Sequence, residues 1–106
     1  MPSAALTKAK VLVVDDYQGM RTILRDLVRS MGVSRVDTAA SGRDALNQLR
    51  TNRYDVVICD FNLGIGLNGQ QVLDEARLHD YIGVSTIWVM VTAEKTAEMI
   101  MGAAEA

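Results

Sequence analysis

Short apolar runs alternate along this chain with stretches whose apolar residues return every three or four positions. Val11-Leu12-Val13-Val14, Val56-Val57-Ile58-Cys59 and the run over residues 87–91 are β-rich and uninterrupted. Runs of that length and composition suit strands buried on both faces. Between them, Met20, Ile23, Leu24, Leu27, Val28 and Met31 fall at helical spacing, which predicts a helix over residues 18–31 with Gly32 where a C-terminal cap belongs. A short strand over 35–39 follows. Ser41 then caps a helix over 42–49 that turns Ala45, Leu46 and Leu49 to one side. A strand over 54–59, a loop over 61–68 and a helix opened by Asn68 or Gly69 and running to about Leu78 come next, with Val72, Leu73 and Ala76 inward. A strand over 86–91 leads into a last helix from Thr92-Ala93-Glu94, with Ala97, Ile100 and Met101 on its buried side.

Four strand–helix units in series predict an α/β fold with a parallel sheet and right-handed crossovers. The 106 residues and 49% apolar content fit one domain with its own core. A net charge of −2 with mixed signs argues against a nucleic-acid surface. No apolar stretch reaches the roughly 18 residues that cross a bilayer, and residues 1–10 hold no signal-peptide core. A cytosolic setting without membrane contact is the expectation. The single cysteine, Cys59, lies within a strand run and reads as a small buried hydrophobe.

Polar chemistry gathers at the strand ends. Asp15 and Asp16 close the first run, Asp60 closes the run over 56–59, and Thr92 closes the run over 87–91. In an open parallel sheet all four fall at the carboxyl edge, where ligands bind. Three carboxylates there repel one another unless a cation joins them, and a hard ion such as Mg²⁺ takes oxygen ligands. Asp60 is the candidate for accepting a phosphoryl group as an acyl phosphate. The backbone carbonyl of Asn62 is placed to complete a metal shell, the Thr92 hydroxyl to donate to a phosphoryl oxygen, and the small Ala93 to leave room for it. Each has a plainer reading alone: Asp15 or Thr92 as a helix cap, Asp60 as a turn residue. A purely structural sheet has no need of all of them together.

The run Val11-Leu12-Val13-Val14-Asp15-Asp16-Tyr17-Gln18-Gly19-Met20-Arg21 resembles the start of a response-regulator receiver domain of two-component signalling. Tyr54-Asp55-Val56-Val57-Ile58-Cys59-Asp60 and Val89-Met90-Val91-Thr92-Ala93 resemble its later motifs, in matching order and spacing. The resemblance implies a flavodoxin-like, doubly wound α/β/α fold with strand order 2-1-3-4-5. It implies Asp60 as phosphoacceptor and Asp15, Asp16, Asp60 and the Asn62 carbonyl as the Mg²⁺ site. It further implies Thr92 as switch hydroxyl, and a sensor histidine kinase or phosphotransfer protein as donor. The loop after Asp60, Phe61-Asn62-Leu63-Gly64-Ile65-Gly66-Leu67-Asn68-Gly69, lacks the family's usual proline and is one residue longer. It resembles a subgroup with an Asn-Leu-Gly loop, some of whose members carry tetratricopeptide-type repeats downstream. By the same resemblance residues 1–106 form a receiver domain incomplete at its C-terminus, without the last β/α unit, its lysine and the aromatic partner of Thr92. Lys95 is wrongly placed to replace that lysine. An uncovered edge at Ile87–Val91 then predicts either a piece of a longer regulator or a homodimer through that edge.

The remaining polar residues have plainer readings. His79 lacks a ligand-type neighbour at helical spacing. Arg21, Arg25 and Arg29 form a stripe that reads as a solvated face or a kinase contact. Gly64 and Gly66 do not fit a phosphate-loop fingerprint. Two other functions stay open: a phosphorylation-independent adaptor, and a Mg²⁺-dependent phosphohydrolase. The second is disfavoured because its acids generally stand two residues apart, whereas these are adjacent.

Overall fold

The structure, a computed structural model, describes residues 4–91. The elements in chain order are α1 (Ala4–Lys8), β1 (Lys10–Val14), α2 (Gln18–Ser30), β2 (Arg35–Ala39), α3 (Gly42–Thr51), β3 (Val56–Asp60), α4 (Gly69–Leu78) and β4 (Ile87–Val91). The predicted last helix, with Ala97, Ile100 and Met101, lies outside the described residues, as does Lys95.

All strand pairings are parallel, in the order β2-β1-β3-β4. The doubly wound sheet expected from the sequence is present. The helices fall on both faces because the side chains of each strand alternate. Leu12, Val14, Val57 and Cys59 point to one face and meet Ala45 and Leu49 of α3 and Val72 and Ala76 of α4. Val11, Val13 and Val36 point to the other and meet Val28 of α2. Since β1 leads to β2 on one side and lies against β3 on the other, the direction in which strands are added to the sheet reverses between β1 and β3. That switch point opens a crevice at the strands' carboxyl ends.

Local signals set the helix ends. Asp44 N–H donates to Ser41 Oγ at 3.1 Å, as the cap reading expects. Asn68 caps α4 in a reciprocal box: Gln71 N–H donates to Asn68 Oδ1, and Asn68 N–H to Gln71 Oε1, both at 2.9 Å. Gly32 follows α2 at φ 105°, which a residue with a Cβ resists.

Three features depart from the sequence pattern. The short helix α1 precedes the sheet, where no periodicity marked it. The apolar stripe of α2 is divided: Val28 is buried, whereas Ile23, Leu27 and Met31 are 56–60% exposed. β4 is not buried on both faces as expected, for Ile87 is 61% and Val89 42% exposed. Both follow from layer coverage. Ile87 and Val89 stand in register with Val56 and Ile58, on the α2 face of the sheet. α2 packs over β1 and β2, with Val56 and Ile58 of β3 half-buried beside its cluster, and leaves Ile87 and Val89 of β4 open among the described residues.

Candidate functional site

β1 and β3 run side by side with Val14 opposite Cys59, so their ends lie together at the switch point. Asp15 and Asp16 follow β1 directly, and Asp60 is the last residue of β3. One carboxylate oxygen from each of the three lies within 4.8 Å of the others. Asp15 is buried at 4% exposure, Asp60 half-buried and Asp16 exposed, so the cluster opens to solvent on one side.

Adjacent acids reach one site because the chain turns as it leaves β1. Tyr17 N–H donates to Asp15 Oδ1 at 2.9 Å. That turn, rather than a helix cap, is the local role of Asp15: α2 begins after Tyr17 and has no side-chain cap. Asp15 N–H stays in the sheet, donating to the Ala39 carbonyl at 3.1 Å. Arg21, one turn into α2, reaches back and donates from Nη1 to the Asp15 carbonyl at 2.8 Å. The sequence reading placed Arg21 on a solvated stripe. Its half-buried guanidinium instead pins the backbone between the two acids and brings positive charge to an acidic site. Only its position six residues past Asp15 hinted at this.

The loop after β3 is ordered by its own polar groups. Asn62 N–H donates to Asp60 Oδ1 at 3.3 Å, and Gly64 N–H to Asn62 Oδ1 at 3.1 Å. Gly64 takes φ 76°, and a Cβ there would stand 3.0 Å from Asp16 Oδ2, so this glycine lets the loop close against the acid. Gly69 N–H donates to the Phe61 carbonyl at 2.7 Å. A Cβ on Gly69 would meet the Asp60 carbonyl oxygen at 2.5 Å and Met90 Sδ at 2.8 Å. Glycine at 69 is therefore a condition of the loop's closure over β3 and β4.

Asp60 pairs in register with Val91, and Phe61 N–H donates to the Val91 carbonyl at 2.9 Å. Thr92 and Ala93 follow Val91 in sequence and lie outside the described residues. Cys59, beside Asp60, is fully buried. Burial pushes its thiol up to about 12, with the charges of Asp60 and Asp15 adding to the shift. His79 does have a carboxylate at helical spacing, contrary to the sequence reading: Glu75, four residues back, lies 3.2 Å from it, and its ring stacks on Tyr81.

The donor set fits a hard divalent ion. Every convergent group is an oxygen, one carboxylate is buried, and the three negative charges need compensation. Neither a soft metal, which prefers sulfur or imidazole, nor a nucleotide loop fits these residues as well.

A parallel sheet with three carboxylates at its switch point defines a doubly wound α/β domain with an acidic site. Residues 11–106 match the family model of the response regulator receiver domain, and the chain belongs to that family. Chemotaxis protein CheY-3 of Vibrio cholerae is 34% identical over 97 residues, which are 92% of this chain and 73% of that protein. Among solved structures, Vibrio cholerae CheY4 matches with a TM-score of 0.71 at 32% identity, covering 85% of this chain and 76% of its own. The receiver domain of the Arabidopsis thaliana histidine kinase CKI1, solved with Mg²⁺ and BeF3⁻, matches with a TM-score of 0.74 at 26% identity, covering 91% and 76%. The chain is thus a receiver domain of the response-regulator type, a phosphoacceptor signalling domain.

Proposed function

We propose that residues 1–106 act as one receiver domain whose Asp60 accepts a phosphoryl group from a phosphohistidine on a sensor histidine kinase or phosphotransfer protein. The observation that carries this is the convergence of Asp15, Asp16 and Asp60 within 4.8 Å at the switch point. Those carboxylates, with the Asn62 carbonyl, are the residues that would hold Mg²⁺. When bound, the ion offsets the repulsion between the attacking carboxylate and the phosphoryl oxygens.

Asp60 is the nucleophile. One of its carboxylate oxygens bonds to phosphorus as the P–N bond to the donor histidine breaks, and the leaving imidazole takes up a proton. Asp15 and Asp16 hold the negative charge that selects the cation. Arg21 fixes the turn that aims them. The Thr92 hydroxyl donates to a phosphoryl oxygen, Ala93 leaves it room, and this contact is the conformational switch.

The chain is a switch rather than a turnover enzyme, in keeping with its adjacent acids, and it works in the cytosol without contacting nucleic acid. β4 pairs with no strand on its outer side among the described residues. That open edge supports a homodimer by strand pairing.

Intact-protein mass after incubation with acetyl phosphate tests the main reading. A Mg²⁺-dependent phosphoryl adduct, absent from Asp60→Asn, is expected. A folded, Mg²⁺-binding protein that gains none would favour the phosphorylation-independent adaptor. Sustained hydrolysis of a phosphate ester would favour the phosphohydrolase.

A further inference from the structure

The loop over residues 61–68 presents a side chain with no role in its own folding. Ile65 is fully exposed, at 102%, between Gly64 at φ 76° and Gly66 at φ 99°. Neither glycine conformation is open to most residues, so the backbone is committed to holding Ile65 outward. The loop is held at both ends, by the Asn62–Gly64 hydrogen bond and by the capping box of Asn68 with Gln71. It also lies against the site, since Gly64 abuts Asp16. Tyr17, directly after the acid pair, is 69% exposed. The mouth of the cluster is therefore acidic, with the exposed apolar Ile65 on the loop beside it.

We infer that Ile65 is the apolar anchor by which a phosphohistidine-bearing protein docks on this receiver; the inference rests on the phosphoacceptor reading above. Attack by Asp60 requires the donor phosphorus to come within bonding reach of its carboxylate. The donor surface around that histidine must then face the rim of the cluster, and Ile65 is its most exposed apolar group. A small donor such as acetyl phosphate needs no such contact. Burying an isoleucine in the encounter adds affinity that a serine cannot supply.

The test compares two donors on the parent and on Ile65→Ser. One is acetyl phosphate. The other is the sensor kinase or phosphotransfer protein of the same genome that, once phosphorylated, transfers fastest to the parent. Phosphorylation by acetyl phosphate is expected to stay within about two-fold, and transfer from the protein donor to slow about ten-fold or more, with Ile65→Leu keeping most of the rate. Unchanged protein transfer would overturn the inference, as would equal slowing from both donors. A parent that accepts from acetyl phosphate but from no protein donor would overturn it alone. A parent phosphorylated by neither would overturn the phosphoacceptor reading with it.

Discussion

Among the described residues the Asp16 carboxylate makes no hydrogen bond or ion pair, and it crowds two others within 4.8 Å. Its replacement by Asn should leave the metal-free protein as stable as the parent or more so, because one repulsion is relieved. The same change should weaken Mg²⁺ about ten-fold or more. A thermal melt with and without Mg²⁺ reads both effects, and a metal-free form less stable than the parent would show that Asp16 serves the fold. Cys59 offers a second check. Its thiol is raised from an ordinary value of 9.0 to about 12, first by burial and then by Asp60 and Asp15. Below pH 9 folded and unfolded chains both hold this proton. Above it the unfolded chain releases a proton that the folded chain keeps, so stability falls with pH, by up to about 1.4 kcal/mol per unit. Tyr54 is also pushed up, by burial and its bond to Asp37, and its ordinary value of 10.0 makes it join later. Urea midpoints of Cys59→Ala should therefore be flatter than the parent's between pH 9 and 10. Equal slopes would mean that the thiol is not held protonated.

At the scale of elements, loop closure is a matter of glycine 69. A methyl group there meets the Asp60 carbonyl and the Met90 sulfur, so Gly69→Ala should cost roughly 1–3 kcal/mol and disturb the phosphoacceptor together. Asn68→Ala removes only one half of the α4 cap and should cost about 1 kcal/mol, with Mg²⁺ affinity little changed. Denaturant midpoints with Mg²⁺ titrations separate the two, and equal loss of Mg²⁺ binding in both would contradict the assignment. The elements also show what sequence reveals. The cap at Ser41, and the start of α4 to within one residue, were legible because such signals are made within one turn of chain. The strand-end acids were legible because a strand's end fixes the sheet edge on which its residues fall. The reach of Arg21 to Asp15 was not, since a long side chain on a solvated face has many local alternatives. The exposure of Ile23 and Leu27 was hidden too, because periodicity tells which side of a helix is apolar and not how much sheet lies beneath it.

Across the whole molecule, function follows from topology. Strands β1 and β3 are neighbours in space and separated in sequence by two crossovers, so acids 45 positions apart share one site. The two faces of the sheet are unequal: α3 and α4 cover one, whereas α2 leaves Ile87 and Val89 of β4 open on the other among the described residues. If the open β4 edge joins two copies, Val89→Lys should give a monomer in light scattering at concentrations where the parent is a dimer. A monomeric parent would remove that proposal and leave the acid site untouched. The central claim is that Asp60, of the three clustered acids, forms the acyl phosphate. Reduction with borohydride after acetyl phosphate and Mg²⁺ converts a phosphorylated aspartate to homoserine, and peptide mass spectrometry then reads its position. Homoserine at position 60 alone is the predicted result; homoserine at 15 or 16, or at no aspartate, would contradict the account.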